Sequence, residues 1–528
     1  MSESPPDLDA LSFEDLKKLL IEALAEVARL KVEVAALREE NTRLKGLAGK
    51  PRLKPSGMEK KTDRAEVKRR RRQKRRGAKN MYSKVTERRV VEVVVPAGSR
   101  FKGYQDIVVQ ELRVSQAVIL YRRQRWQLPD GRMVVAPLPS GIEGHYGPEL
   151  RRFVLAQYHG GQTTVERLLV LLQELGIEIS KRQLVRMLTS GKEPFVAEAA
   201  GVLQAGLETA SWVTVDDTGA RHANGNQYCT QIGDDRFAWF ATRPFKSRLN
   251  FLELLQAGER AYRLNPAALG YMRERRLSQR LTAALKQAGE QSFYEEAAWQ
   301  SFAATCGVQA TNGGANDPLR IATEGALWGS LSDRGIVQDT VFVSDGAGQF
   351  AIGRHARCWI HMERQIHALD TFTEQHRGIK EAVRARIWKL YAQLKVWREK
   401  PTARQRRKLA DRFDDIFASQ TGFVTLDYLL AGFHANREAF LRVLDHPDIP
   451  LHTNGSENDI RCQVTRRRIS GGTHSITGRD VRDAMLSLMK TCRKLKLSFW
   501  DYLGNRLRVH NAPSVPELPY LLQQAAPP

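Results

Sequence analysis

Three acidic positions stand out by residue type and context. The β-favouring run Trp212-Val213-Thr214-Val215 ends in Asp216 and Asp217. The apolar run Thr340-Val341-Phe342-Val343-Ser344 ends in Asp345, just before Gly346. Thr453-Asn454-Gly455-Ser456 leads into Glu457 and then into a segment rich in Arg461, Arg466, Arg467 and Arg468. A carboxylate at the end of a strand stands at the rim of a sheet. Two such strands, with an acid on a helix beside the sheet, can bring three carboxylates together. Hard divalent cations take such oxygen sets. Two ions about 3.5–4 Å apart can activate a water or a 3′-hydroxyl and stabilise the leaving oxygen of a phosphodiester. Each acid taken alone reads more readily as a turn, cap or surface residue. Their joint occurrence in a basic chain is what raises phosphodiester chemistry.

The basic balance is strong: 528 residues carry 83 Lys and Arg against 59 Asp and Glu, a net charge of +24. That charge calls for a polyanionic partner, nucleic acid before an anionic membrane surface. Hydrophobic residues make up 42%, ordinary for a globular protein, and the length suits three or four domains. No run of 18 apolar residues predicts a membrane span. Met1 to Ala10 lacks the basic and apolar regions of a secretory signal. The five cysteines form no CxxC pair, which argues against a disulfide framework or a thiolate zinc site and fits a reducing cytosol. No GxxxxGK[ST] loop is present, so nucleotide hydrolysis is not expected.

Periodicity gives the elements that must position the acids. Asp216 ends the first strand of a predicted meander, continued by Tyr228 to Ile232 and Phe237 to Thr242. Asp345 ends a second apolar strand, followed by a helix over about 356–369. Upstream, a helix starts near Leu150, Phe153, Val154 and Gln157. A second runs from Thr164 to Glu174, Gly176 breaks it, and Ser180 caps a third from Lys181 to Leu188. Helix, glycine turn and capped basic helix is compatible with a helix-turn-helix and equally with a plain helical hairpin. Short strands are predicted at Arg89 to Val95, Ile107 to Leu112, Ala117 to Arg125 and Arg132 to Ala136.

The N-terminal region has the cleanest repeat. Leu20, Val27, Val34 and Asn41 fall at a, with Leu16, Ala23, Leu30, Leu37 and Leu44 at d, a heptad seam that predicts a parallel coiled-coil dimer. A block of Lys68, Arg69, Arg70, Arg71, Arg72, Lys74, Arg75 and Arg76 follows. It reads as a phosphate-gripping arm with salt-sensitive affinity and no base specificity of its own.

Several ordered segments resemble the IS66 family of bacterial insertion-sequence transposases. They are Asp216-Asp217-Thr218-Gly219-Ala220-Arg221-His222, Ser344-Asp345-Gly346-Ala347-Gly348-Gln349-Phe350, Cys358-Trp359-Ile360-His361, Thr453 to Arg461, and the end segment Leu486 to Leu503. The resemblance covers most of the chain from about residue 145 onward. It implies an α/β fold: an RNase H-like catalytic core, a mixed sheet flanked by helices, with helical insertions. It further implies a DDE triad at Asp216, Asp345 and Glu457, with Asp217 the less favoured neighbour, holding Mg²⁺ or Mn²⁺. Asp216 and Asp345 lie 129 residues apart, and Asp345 and Glu457 lie 112 apart. Both gaps therefore call for insertions, at about 251–325 and 370–450. Residues 88–140 stand where many members carry a zinc-binding segment, but contain no cysteine, which predicts a small β module without zinc. Cys358 and His361 form a lone CxxH, a helix face or half of a metal site.

The expected layout is a coiled coil at 11–48, a basic linker and arm at 49–87, the β module at 88–140 and helix-turn-helix-like helices at 141–200. The first part of the core spans 201–369, the helical insertion 370–450, and the last part of the core with the C-terminal region 451–528. The implied activity is metal-dependent strand cleavage and strand transfer at insertion-sequence ends. Its partners are double-stranded DNA at terminal inverted repeats and target sites, a second copy through the coiled coil, and accessory proteins of the same element. No membrane partner is expected, and the location is the bacterial cytoplasm at the nucleoid. Arg461, Arg466 and Arg467 join the basic arm as candidate phosphate clamps. The rival reading is an inactive or domesticated copy that binds element ends and represses. An RNase H-like nuclease unrelated to transposition is a third.

Overall fold

The computed structural model describes residues 85–525, apart from 143, 312, 313, 315, 337, 338 and 372, together with Glu14, Lys17, Glu26, Val27 and Arg29. The chain divides into two units, Met1–Leu112 and Arg113–Pro528. In the first unit the five isolated positions are helical, and Glu26 pairs with Arg29 at 2.7 Å. Of the heptad seam only Val27 is described. The rest of the seam, and the whole basic arm from Lys68 to Arg76, lie outside the described residues.

The strands predicted over 88–124 are not formed. This stretch carries no helix or strand, and side chains such as Val91, Val94 and Ile107 are exposed. β-Branched residues make a strand only when a neighbouring strand and an apolar layer receive them. Nothing among the described residues supplies that layer. Of the predicted β module there remains, in the second unit, one antiparallel hairpin, β1 (Arg125–Gln127) with β2 (Met133–Val135).

The first three helices that follow fall where the sequence placed them, and a fourth, at Glu193–Thr209, was not expected. Helix α1 (Pro148–Leu155) runs into a π-turn at Ala156–Gly160. In α2 (Val165–Glu174) the Thr164 side chain accepts from the Arg167 N–H, and Leu168 and Leu172 make the buried stripe. In α3 (Lys181–Thr189) Ser180 and Gln183 form a capping box. Helix α4 (Glu193–Thr209) is largely buried, and Gly206 lets the Phe237 ring close in where a Cβ would sit 2.5 Å from it.

The central sheet comprises β3 (Trp212–His222), β4 (Gly225–Gly233), β5 (Ala238–Arg243), β8 (Val341–Ser344) and β9 (Arg354–Arg357). Its order is β5-β4-β3-β8-β9. The first three strands form an antiparallel meander, and β8 and β9 add in parallel beside β3. Between β5 and β8 the chain makes α5 (Arg248–Leu255), β6 (Tyr262–Leu264), α6 (Pro266–Glu274), α7 (Gln279–Gln287), β7 (Gln291–Phe293), α8 (Glu296–Thr305) and α9 (Pro318–Asp333). This is the first helix-rich insertion, and it includes one small antiparallel pair, β6 with β7. After β9 come α10 (Trp359–His367), α11 (Glu374–Glu399), α12 (Ala403–Phe417), α13 (Val424–His434) and α14 (Arg437–Leu441). The chain ends with α15 (Asn454–Ser470), α16 (Ile476–Lys494), α17 (Phe499–Arg506) and α18 (Leu518–Gln524).

Strand alternation assigns the two faces of the sheet. Val213, Val215, Ile232 and Phe342 join one apolar cluster with residues of α4, α5 and α9. Val341 and Val343 join another with α10 to α14, and Ala220, Cys229 and Phe240 pack on Ile460 of α15 and on Leu486 and Met489 of α16. Helix α16 also closes the exposed edge of β5: Ser487 Oγ accepts from the Phe240 N–H at 2.9 Å and Thr491 Oγ1 from the Ala238 N–H at 3.3 Å. Buried edge amides otherwise left unpaired would be costly. Among the described residues, no helix is long and apolar enough to cross a membrane.

Candidate active site

The ladder between β3 and β8 pairs Trp212 with Val341, Val213 with Phe342 and Thr214 with Val343. Continued two residues further, that register sets Asp345 beside Asp216. Directly opposed residues of neighbouring strands face the same way. Asp216 and Asp345 therefore share the face of Val341 and Val343, which α10 and α15 also cover. Asp217 points to the other face. There Thr230, its partner across the β3–β4 ladder, donates to Asp217 Oδ1 at 2.5 Å, and Gln349 Nε2 donates to Oδ2 at 2.9 Å. Both Asp217 oxygens are thus committed to structural bonds. Asp216 Oδ1 accepts from the Asp217 N–H at 2.8 Å, and its Oδ2 has no hydrogen-bond partner among the described residues.

The environment of Asp216 disfavours its charge. Burial, with a smaller push from the Asp345 carboxylate, raises its carboxyl to about 6 against the lowering effect of the Asp217 amide hydrogen bond. Burial also raises Asp217, offset by the bonds from Thr230 and Gln349. Asp345 stands just past β8, where its Oδ1 accepts from the Ala347 N–H at 2.9 Å. Arg357 on β9 donates to Gly346 O in the same loop at 3.4 Å.

Glu457 lies in the first turn of α15, where a carboxylate suits the helix dipole. Its Oε1 is 3.0 Å from Arg364 Nη1 and 3.6 Å from His361 Nε2, both on α10. Cys358 is the buried N-cap of α10, and His361, one turn on, faces Glu457. A hydrogen bond with Cys358 raises the His361 pKa despite burial, helped by the Glu457 and Asp345 charges. Burial alone would push the Cys358 thiol up, but hydrogen bonds with His361 and Thr453 outweigh it and hold the thiol below its ordinary value. Among the described residues, no three His, Cys, Asp or Glu side chains converge closely enough to hold a metal ion together. The three carboxylates share a face, with Glu457 drawn toward α10. In chemical type they suit a hard divalent cation, since all are oxygen ligands and Asp216 carries a charge penalty that a cation would relieve, but with Glu457 turned to Arg364 and His361 they do not close around one position.

The arginines separate. Arg461 and Arg468 are exposed on α15. Arg467 is half-buried and donates to Gly219 O on β3, beside a cleft lined also by Arg221, Gln227 and Tyr228. Arg466 corrects the expectation of a phosphate clamp. It is buried, with its guanidinium 4.4 Å from the Tyr158 ring and a hydrogen bond to Tyr158 O in the π-turn. It ties α15 to the upstream helices and is withdrawn from any strand of DNA at the surface. Residue types alone did not reveal Arg364, Thr230 and Gln349 as neighbours of the acids. The 129-residue spacing called only for an insertion between Asp216 and Asp345; their alignment comes from the strand register.

Fold and site define a mixed α/β protein with one carboxylate on a central strand, one just past the end of its parallel neighbour and one on a covering helix that also bears exposed arginines. The Transposase IS66 family matches residues 339–480, a span that holds Asp345, His361 and Glu457. An uncharacterized protein, y4jO, of Sinorhizobium fredii (strain NBRC 101917 / NGR234) is 45% identical over 306 residues, which is 58% of this chain and 94% of that protein. The chain belongs to the IS66 transposase family.

Proposed function

We propose that this chain is a DDE transposase that cleaves DNA at insertion-sequence ends and joins the 3′-hydroxyl to target DNA. The observation that carries the reading is the register of β3 and β8, which aligns Asp216 and Asp345 on the face covered by the helix bearing Glu457. An antiparallel meander with two parallel strands added beside its first strand supports an RNase H-like core, with 251–325 and 370–450 as its insertions. Residues 11–48 would pair two copies, residues 49–87 would grip phosphates, and 141–200 would read or clamp element ends. The β module assigned to 88–140 is reduced to the hairpin at 125–135. The partners are terminal inverted repeats, target DNA and accessory proteins of the element, in the cytoplasm at the nucleoid.

Asp216, Asp345 and Glu457 would hold Mg²⁺ or Mn²⁺. Bound there, the ion supplies Lewis-acid activation of a water or 3′-hydroxyl and stabilises the leaving oxygen. The protein's own part is orientation. The Asp217 N–H fixes one oxygen of Asp216 and leaves the other available, and the Ala347 N–H does the same for Asp345. Arg364 and His361 hold Glu457 and balance its charge until a ligand competes for it. Arg461 and Arg468 face outward to contact backbone phosphates.

The test is strand cleavage and joining on labelled DNA carrying the source element's ends, with Mg²⁺, with EDTA and with Glu457→Gln. Metal-dependent joining that disappears in the variant supports the enzyme. The 3.0 Å contact from Arg364 to Glu457 favours a second reading, an inactive copy that binds ends and represses. Salt-sensitive binding with no cleavage, even when the element's other products are added, would establish that one.

A further inference from the structure

Glu324 is 1% exposed on α9, inside the insertion between β5 and β8. A carboxylate so deep persists only when its charge and lone pairs are met. Tyr271 Oη donates to its Oε2 at 2.9 Å, Arg248 Nη1 approaches Oε2 at 3.3 Å, and Arg320 Nε reaches Oε1 at 3.2 Å. Arg248 does not stop there. Its Nη2 donates to Gly348 O at 2.9 Å, three residues beyond Asp345. Arg275, the C-cap of α6, donates to Ala351 O in the same loop. The Phe350 ring meets Phe251 of α5 edge-on at 5.0 Å. Trp328 of α9 lies against Gly353, whose φ of +48° and 2.7 Å Cβ clearance from that ring suit glycine. The insertion therefore touches the loop at 348, 350, 351 and 353. That loop starts at Asp345 and carries Gln349, which holds Asp217.

Surface loops are ordinarily among the less stable parts of a fold. Metal-binding side chains need placement to within roughly half an ångström, from a supporting shell that does not yield. We propose that the 248–333 insertion is a positioning device for Asp345, in which Glu324 aims Arg248, and Arg248 and Arg275 together pin the 346–353 loop by its carbonyls. The inference rests on the reading of Asp345 as a metal ligand. It makes Arg248, Arg275 and Glu324 positioning residues, none of which touches DNA or metal.

The test uses the full chain without DNA. Hydrogen exchange is followed in peptides covering 345–353, and Mn²⁺ binding is titrated calorimetrically. Arg275→Met keeps the length of an aliphatic stem and removes the guanidinium, with its bond to Ala351 O and its place over the Tyr271 ring. It should speed exchange in the loop and weaken Mn²⁺ binding by about tenfold, while Arg275→Lys recovers part of both. Glu324→Gln should do the same; should it unfold, Arg275→Met carries the test alone. Loop exchange and Mn²⁺ affinity both within about twofold of wild type in Arg275→Met would overturn the inference. Asp345→Asn separates this from the parent reading. If it binds Mn²⁺ as wild type does, Asp345 is no ligand, and the proposed role fails for that reason, whatever the loop exchange shows.

Discussion

Asp345, one residue past the end of β8, falls level with Asp216 when the β3–β8 ladder is continued. The 129 residues between them equal the offset of the parallel ladder in which Thr214 pairs with Val343. A shift of one residue in that pairing would set Asp345 opposite Val215 or Asp217, on the other face of the sheet, and separate it from Asp216. The same relationship distinguishes Asp216 from Asp217, since neighbours along a strand point to opposite faces.

The carboxylates should rank by face. Asp216→Asn, Asp345→Asn and Glu457→Gln are each expected to lower metal-dependent DNA cleavage by at least about a hundredfold. Asp217→Asn should cost far less, because its bonds to Thr230 and Gln349 are structural. Rates per folded molecule, measured at one Mg²⁺ concentration, check the order. An Asp217 variant as dead as the Asp216 variant would reverse the assignment of faces.

Asp216 should also be a liability to stability. Its folded pKa of about 6 lies above the unfolded carboxylate value near 4. The folded state thus holds the proton more tightly, and stability falls as pH rises from about 4 to about 6, with the full penalty present above. Asp216→Asn removes the penalty and is expected to raise stability at about pH 7.5 by up to about 3 kcal/mol. The gain should shrink toward zero below about pH 4. Thermal melts across that range are the check, and Mn²⁺ should raise the wild-type melting temperature more than that of the variant.

Two arginines five residues apart on α15 should behave differently toward DNA. Arg461→Ala removes an exposed cation, so the slope of log affinity against log salt should fall by about one. Arg466→Ala should leave that slope alone and cost stability instead, on the order of 1–3 kcal/mol, because Tyr158 O loses a buried donor. Fluorescence anisotropy at several salt concentrations, beside urea unfolding, distinguishes them.

The edge of β5 depends on two hydroxyls. Ser487→Ala and Thr491→Ala each orphan a buried amide, of Phe240 and Ala238, at an expected cost of about 1–3 kcal/mol. Urea midpoints should drop accordingly. Unchanged midpoints would mean that water or a shift of α16 replaces the caps.

Local signals determined much of this protein. The caps at Thr164 and Ser180 and the turn at Gly176 specify their elements within a few residues, since each depends on neighbours in the chain. The apolar run before Asp216 marks where β3 begins but not where it ends: the strand continues to His222, which puts Asp216 inside it and not at its end. The ordered motifs from residue 216 to 503 also carried the family. Tertiary structure alone decided three other matters. It set which of two adjacent aspartates faces Asp345, because register belongs to a pair of strands far apart in sequence. It buried Arg466 under Tyr158, because an arginine-rich helix does not reveal which guanidinium meets a packed ring. It also left 88–124 without strands, because β-favouring residues form a sheet only where a partner strand and a core receive them.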